Sequence, residues 1–244
     1  MEHQDFLDQA RDQYHAIRAA AVAAGPDVPV PTCPGWDVRA LVHHLAGVNS
    51  WALAALTTPA DGGRPRAEHR PDGWEELLAW WDERFTAMNR LLADVGPDAP
   101  AWTFTGPSTA GFWSRRQAHE LAIHRLDVEH ALHGPEVPPL LFDTQFAADG
   151  VTEFLTVLLV RLARERPVTR EGRLLWHAAD AGRTWEVRLV PGQPPATVAA
   201  AGSGTDHDAT VAGTADALYR AAWDRPSGAI VSGDRSLLDA LPRP

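Results

Sequence analysis

The first part of the chain carries four stretches in which apolar side chains recur every three to four positions, as on one face of an α-helix. This pattern predicts helices over residues 4–24, about 38–57, about 73–94 and about 111–133. Segments rich in proline and glycine separate them, and Asp37 precedes the second stretch as a typical N-cap residue. Four helices of about twenty residues joined by loops are typical of a four-helix bundle.

The second part of the chain changes from a helical to a mixed pattern. One long helix is predicted over residues 143–165. Short strands are then predicted at 173–177, 184–189, 196–200, 209–211 and 229–232, with helical segments at 214–223 and 236–241. We therefore predict an α+β protein, in which an N-terminal bundle (1–138) is followed by a small α+β domain (139–244).

Composition and charge narrow the classes of function. The 244 residues carry 32 acidic and 22 basic side chains, and the net charge of -10 argues against a nucleic-acid surface. No apolar run approaches the roughly 18 residues that span a bilayer, and the polar start does not resemble a secretory signal. Cys33 is the single cysteine, which excludes an internal disulfide. We expect a cytoplasmic protein that binds neither nucleic acid nor membrane.

A glutamate and a histidine in the fourth predicted helix are candidate metal ligands. Glu120 and His124 are four residues apart, so their side chains share one helix face about 6 Å apart. The spacing differs from the HExxH motif of zinc proteases, which would need histidine where the chain has Ile123. Ion pairs with this spacing are commoner than metal sites, so the pair alone leaves both interpretations open.

His44 in the second predicted helix is the candidate third ligand. It lies on the apolar stripe of that helix, whereas His43 points about 100° away. Two imidazoles and one carboxylate leave coordination positions open for water or substrate, as in catalytic zinc sites. Helix bundles often build such sites from side chains on facing helices. Asp127, one turn after His124, is a candidate for orienting that histidine.

Two segments of the chain resemble the mycothiol-dependent maleylpyruvate isomerase family. They are PTCPGWDVRALVHHLAGV (31–48) and RRQAHELAIHRLDVEHAL (115–132), and the resemblance continues into 147–161 and 231–241. It implies a DinB-like four-helix bundle followed by a smaller domain similar to sterol carrier proteins. It also implies that His44, Glu120 and His124 bind a divalent metal, usually zinc.

The resemblance further implies an enzyme that uses mycothiol as a thiol co-substrate. Metal coordination lowers the pKa of a thiol, and thiolate is the strong nucleophile toward an electrophilic carbon. The expected activity is an isomerase or S-transferase acting on a small electrophile, in a monomer or homodimer. Two alternatives stay open: a metal-assisted hydrolase on the same bundle, and a non-enzymatic protein that binds a ligand or partner and holds a structural metal.

Several arginines are candidate anchors for anionic groups, because a guanidinium can hold a carboxylate through two parallel hydrogen bonds. Arg115 and Arg116, at the start of the fourth predicted helix, are the candidates for binding the thiol co-substrate. The resemblance implies a catalytic arginine in the C-terminal domain, for which Arg220 and Arg225 are candidates and Arg225 is our choice. Solvation at the surface is the commoner role of arginine and is the alternative for all four.

Overall fold

A computed structural model describes residues 1–66, 68–138, 141–199 and 207–243 of the chain. The chain divides into two compact units, Met1–Val137 and Pro138–Pro244. The first is a helical bundle and the second combines helices with a mixed sheet, which confirms the predicted α+β fold class. Among the described residues, no helix combines the length and the hydropathy that a membrane span requires.

Four long helices make up the first unit. They are α1 (His3–Ala24), α2 (Val38–Leu56), α3 (Trp74–Val95) and α4 (Ala110–His133). The Asp37 side chain caps α2 by accepting a hydrogen bond from the backbone N of Ala40 at 2.7 Å, as its position in the sequence predicts. Helix α1 ends at Gly25, whose φ of 86° favours glycine.

The bundle core is largely apolar, and a buried polar network links three of its helices. Helix α1 packs along α4, and α2 packs along both α3 and α4. The largest fully buried side chains include Leu7, Ile17, Leu41, Leu45, Trp81, Met88 and Trp113. Asn49 donates to Gln117 Oε1 at 2.7 Å and accepts from the Trp81 indole at 2.7 Å. This network therefore joins α2, α3 and α4 through hydrogen bonds inside the core.

The second unit begins with one continuous helical segment, as the sequence predicts over 143–165. It contains α5 (Thr144–Glu153), a π-helical turn (Phe154–Leu158) and α6 (Leu159–Glu165). The apolar pattern does not predict the π-helical turn. The Thr197 hydroxyl donates to the backbone carbonyl of Leu155 at 3.0 Å, inside that turn.

A five-stranded mixed sheet completes the second unit. Its strands are β1 (Gly172–Ala178), β2 (Arg183–Leu189), β3 (Ala196–Ala199), β4 (Ala209–Gly213) and β5 (Ile230–Gly233), in the order β3-β2-β1-β4-β5. Two short helices, α7 (Ala215–Ala222) and α8 (Arg235–Asp239), flank the last strand. Strands β1 and β4 are parallel and the other pairs antiparallel. Residue 200, the end of the predicted third strand, lies outside the described residues.

One face of this sheet carries a charge cluster in which the buried Glu186 of β2 is surrounded by the more exposed side chains of Arg173 and Arg188 and by the buried side chain of His207. Its carboxylate accepts hydrogen bonds from Arg173 at 2.9 Å, from His207 at 3.0 Å and from Arg188. The hydrogen bonds from Arg173 and Arg188 outweigh the effect of burial and lower the pKa of Glu186 to about 2. The ionised carboxylate therefore stabilises the folded state.

We expect Glu186→Gln to lower the melting temperature at pH 7 by roughly 2–4 °C, since it removes one charge-assisted hydrogen-bond acceptor. The folded-state pKa lies below the ordinary value of 4.5, so this stabilisation is present above pH 4.5 and is lost as the pH falls toward 2. Thermal unfolding from pH 7 to pH 3 checks it, with the exposed Glu171→Gln as control. A Glu186→Gln variant as stable as the wild type at pH 7 would contradict the prediction.

Candidate metal centre

Three side chains from α2 and α4 converge on one point in the bundle. The ligand atoms of His44, Glu120 and His124 all lie within 4.8 Å of one another. Glu120 Oε1 is 2.9 Å from His44 Nε2 and 3.6 Å from His124 Nε2. Neighbouring ligand atoms around a tetrahedral zinc ion are about 3.3 Å apart. The two separations lie on either side of this value, so the three side chains are close enough together to share one metal ion.

Helix geometry explains why these side chains meet. Glu120 and His124 lie one turn apart on the same face of α4, and His44 faces them from α2. The neighbouring His43 is outside this group of ligand atoms, and its backbone carbonyl accepts a hydrogen bond from Arg70 at 3.2 Å. Burial and the Arg70 charge lower the pKa of His43. The structure thus separates the two adjacent histidines as the apolar stripe of α2 predicts.

Arg116 controls the charge and the orientation of Glu120. Its guanidinium is buried and donates to Glu120 Oε2 at 2.7 Å, which leaves Oε1 toward the two histidines. Burial alone would raise the pKa of Glu120. The Arg116 charge and the hydrogen bonds with both histidines outweigh burial and hold this pKa well below its ordinary value. Glu120 is therefore ionised, which is the form in which a carboxylate can bind a metal ion.

Asp127 orients His124 from the opposite side. The Asp127 carboxylate is fully buried, and its Oδ2 lies 2.8 Å from His124 Nδ1. It also accepts from Thr32 Oγ1 at 2.6 Å and from Cys33 Sγ at 3.2 Å. With Nδ1 engaged, Nε2 is the ring nitrogen of His124 that faces Glu120, at 3.6 Å from Oε1. Burial lowers the pKa of His124, but the hydrogen bonds with Asp127, Cys33 and Glu120 raise it well above the ordinary value.

Cys33, His124 and Asp127 also form a second group of potential metal ligands. Both carboxylate oxygens of Asp127 already accept hydrogen bonds, Oδ1 from Thr32 and Oδ2 from Cys33, and Oδ2 also lies within hydrogen-bond distance of His124 Nδ1. We therefore interpret this group as the support of His124. Asp127 has the orienting position that its spacing in the sequence predicts.

The loop between α1 and α2 forms a wall of the centre. Trp36 contacts both histidines, with ring centroids 5.1 Å from His44 and 6.2 Å from His124. A tight turn holds this tryptophan, since its backbone N donates to the Cys33 carbonyl at 3.0 Å and Gly35 has a φ of 85°. The His44 side chain is 34% exposed, whereas that of His124 is 8% exposed. The centre is therefore open to solvent beside His44.

The predicted arginines have different surroundings. Arg116 is buried against Glu120, and Arg115 is half-buried. Arg225 lies in the second unit, where its guanidinium donates to the backbone carbonyl of Trp223 at 2.8 Å. The roles of Arg115 and Arg116 in binding a co-substrate, and of Arg225 in catalysis, stay predictions.

Sequence reasoning missed several residues around the centre. Thr32 and Trp36 precede α2 in the motif PTCPGW, and Arg70 lies in the loop between α2 and α3. The Pro-Gly pair before the N-cap of α2 predicts a turn there. The sequence does not indicate which residues of α2 or α4 are contacted by Thr32, Trp36 and Arg70, because those contacts depend on the packing of the bundle.

Two family models match the chain: the mycothiol maleylpyruvate isomerase N-terminal domain over residues 7–129, and the C-terminal domain of the same family over residues 145–240. The crystal structure of the mycothiol-dependent maleylpyruvate isomerase is similar, with a TM-score of 0.63 and 16% identity, covering 95% of this chain and 93% of that chain. A crystal structure of a histidine-to-alanine variant of that isomerase has a TM-score of 0.61 at the same identity and coverage. No match was found among curated proteins.

At 16% identity, the two crystal structures establish a shared fold and no more. The family models carry the assignment, since together they match the four-helix bundle and the α+β unit in the order in which the chain has them. The chain therefore belongs to the mycothiol maleylpyruvate isomerase family.

Proposed function

We propose that the chain is a metal-dependent enzyme that uses a low-molecular-weight thiol, mycothiol in the first instance, to isomerise a small electrophile or to conjugate it. The observation that carries this proposal is the convergence of His44, Glu120 and His124 on one point that is open to solvent. Two imidazoles and one carboxylate form a donor set that suits zinc. Membership of the isomerase family supports the same function.

His44, Glu120 and His124 would hold a divalent metal, which would supply thiolate at neutral pH by lowering the pKa of a bound thiol. Two neighbouring residues determine the charge of Glu120 and the orientation of His124. Arg116 keeps Glu120 ionised, and Asp127 keeps Nε2 of His124 directed to the centre. With one carboxylate and two neutral imidazoles as ligands, the site would keep a net positive charge that favours an anionic thiolate.

The reaction on the electrophile follows from thiolate chemistry. Thiolate adds to one carbon of an activated double bond, the remaining single bond rotates, and loss of thiolate gives the isomer. Isomerisation therefore regenerates the thiol, whereas S-transfer consumes one thiol for each product. Arg115 and Arg225 are the proposed anchors for anionic parts of the two substrates. For Arg116, the buried contact with Glu120 favours a positioning role.

We expect turnover of a small electrophile to require both the metal and the thiol. The test combines metal analysis of the purified protein with assays of maleylpyruvate and other activated alkenes, using mycothiol, glutathione, cysteine or no thiol. Thiol consumption, measured beside product formation, distinguishes an isomerase from an S-transferase. Metal-dependent turnover without any thiol would instead identify a hydrolase, and metal binding without any turnover would favour a ligand-binding protein.

The proposed partners are therefore a low-molecular-weight thiol and a small electrophile. A thiol-using enzyme needs a compartment that keeps its co-substrate reduced, which agrees with the cytoplasmic location expected from the single cysteine.

A further inference from the structure

Arg70 contacts the backbone of α2 at His43 and Gly47, the residues one before and three after the candidate ligand His44. Its Nη1 atom donates to the backbone carbonyl of His43 at 3.2 Å. Because that carbonyl carbon is bonded to the backbone N of His44, standard bond lengths place Nη1 within about 6 Å of His44 Cα. The Arg70 guanidinium therefore lies close to the backbone of His44, the most exposed of the three candidate ligands.

Gly47 provides the surface on which Arg70 rests. A Cβ built at Gly47 would lie 2.9 Å from Arg70 Cζ and closer still to Nη1. Any other residue at this position would displace the guanidinium. Glycine in a helix interior is less favourable than alanine by about 1 kcal/mol. The glycine that allows the close approach of Arg70 therefore destabilises α2 by about this amount.

The Arg70 guanidinium has spare hydrogen-bonding capacity. Within residues 1–66, 68–138, 141–199 and 207–243, no carboxylate forms an ion pair with it, and its hydrogen bond is to the His43 carbonyl. A guanidinium has five N–H donors, so most of them are open to a ligand. Arg116 and Arg220, in contrast, pair with the acidic side chains of Glu120 and Asp216.

We infer that Arg70, seated on Gly47, binds a carboxylate of the small molecule that occupies the metal centre. This inference rests on the proposed function, because it assumes that a small ligand binds beside His44. The half-buried guanidinium is positioned to form two parallel hydrogen bonds with a carboxylate, and partial burial strengthens them relative to a fully exposed pair. Arg70 is then a specificity-determining residue that selects anionic over neutral electrophiles.

Calorimetric titration of maleate, without thiol, tests this inference in metal-free and zinc-loaded protein. We expect Arg70→Gln to weaken maleate binding about 10-fold, since it removes a charge-assisted pair of hydrogen bonds, and to leave the zinc content unchanged. Arg66→Gln is the matched control, because Arg66 is an exposed arginine of the same loop and the two variants change net charge equally. Dimethyl maleate, which is neutral, should bind the wild type and Arg70→Gln alike.

A second variant displaces Arg70 without removing it. Gly47→Ala is expected to keep the helix folded, since alanine is the better helix former, and to weaken maleate binding. In the Arg70→Gln background, Gly47→Ala should have no further effect on maleate affinity. Failure of the wild type to bind maleate, or equal losses in Arg70→Gln and Arg66→Gln, would overturn the inference. Because no thiol is present, these results do not depend on whether thiol-dependent turnover is observed.

Discussion

Replacing His44 with alanine is expected to remove stoichiometric zinc from the protein while leaving the helical bundle folded. The variant retains Glu120 and His124 but loses the imidazole that faces them from α2. With one of three protein ligands gone, zinc affinity should fall roughly a hundredfold or more. Alanine is the best helix former and His44 is partly exposed, so the change leaves no buried cavity.

Elemental analysis of the purified variant measures the metal, and circular dichroism checks that helix content is retained. His43→Ala is the matched control, because it removes the adjacent imidazole from the same helix, and that imidazole is outside the group of ligand atoms. We expect His43→Ala to bind zinc as the wild type does. Full zinc retention by His44→Ala, or equal loss by both variants, would show that these three side chains do not form the metal centre.

The positions of the long helices could be predicted because each repeats its apolar residues with the helical period and ends at a clear signal. Helix α2 begins directly after Asp37, and α1 stops before Gly25. The positions of the strands could be predicted from short segments that contain β-branched or aromatic residues. The π-helical turn at Phe154–Leu158 could not be predicted, because its apolar spacing is that of an ordinary helix.

The three candidate ligands could be predicted from the sequence because helix periodicity determines which side chains share a face. The spacing of Glu120 and His124 sets their relation within α4, and the apolar stripe of α2 selects His44 over His43. Their meeting across two helices depends on tertiary packing, which periodicity does not encode. The family resemblance supplied that link, and the described structure brings the three side chains together.

The supporting contacts were beyond sequence reasoning, since they join distant parts of the chain. Thr32 and Cys33 lie 95 and 94 residues before the Asp127 carboxylate that accepts from both. Arg70 reaches α2 from a loop rich in proline and glycine, whose path no periodic pattern predicts. The sequence could place Arg116 on α4 but could not reveal that its guanidinium is buried against Glu120. Residues of this kind hold the centre in place, and only the packed structure identifies them.

Removing the carboxylate of Asp127 from His124 is expected to weaken zinc binding strongly. Asp127→Asn replaces one carboxylate oxygen with an amide NH2 at a fully buried position. If that NH2 donates to His124 Nδ1, the imidazole proton moves to Nε2, which then cannot bind a metal. In the other orientation, the amide NH2 faces Thr32 and the amide oxygen faces His124. The negative charge of the carboxylate beside His124 is then lost. Both orientations weaken metal binding, and we expect zinc affinity to fall about 10- to 100-fold.

Competition with a chromophoric zinc chelator measures this affinity, and circular dichroism with thermal unfolding reports the fold separately. Glu129→Gln is the matched control: Glu129 lies on the same helix and pairs with His133 at 3.4 Å, away from the three ligand atoms. Zinc affinity should fall in Asp127→Asn and stay unchanged in Glu129→Gln. Co²⁺ in the zinc position should also show an altered absorption spectrum in Asp127→Asn, because the orientation of one ligand changes. Wild-type zinc affinity in Asp127→Asn would mean that the carboxylate merely fills the interior between α4 and the loop before α2.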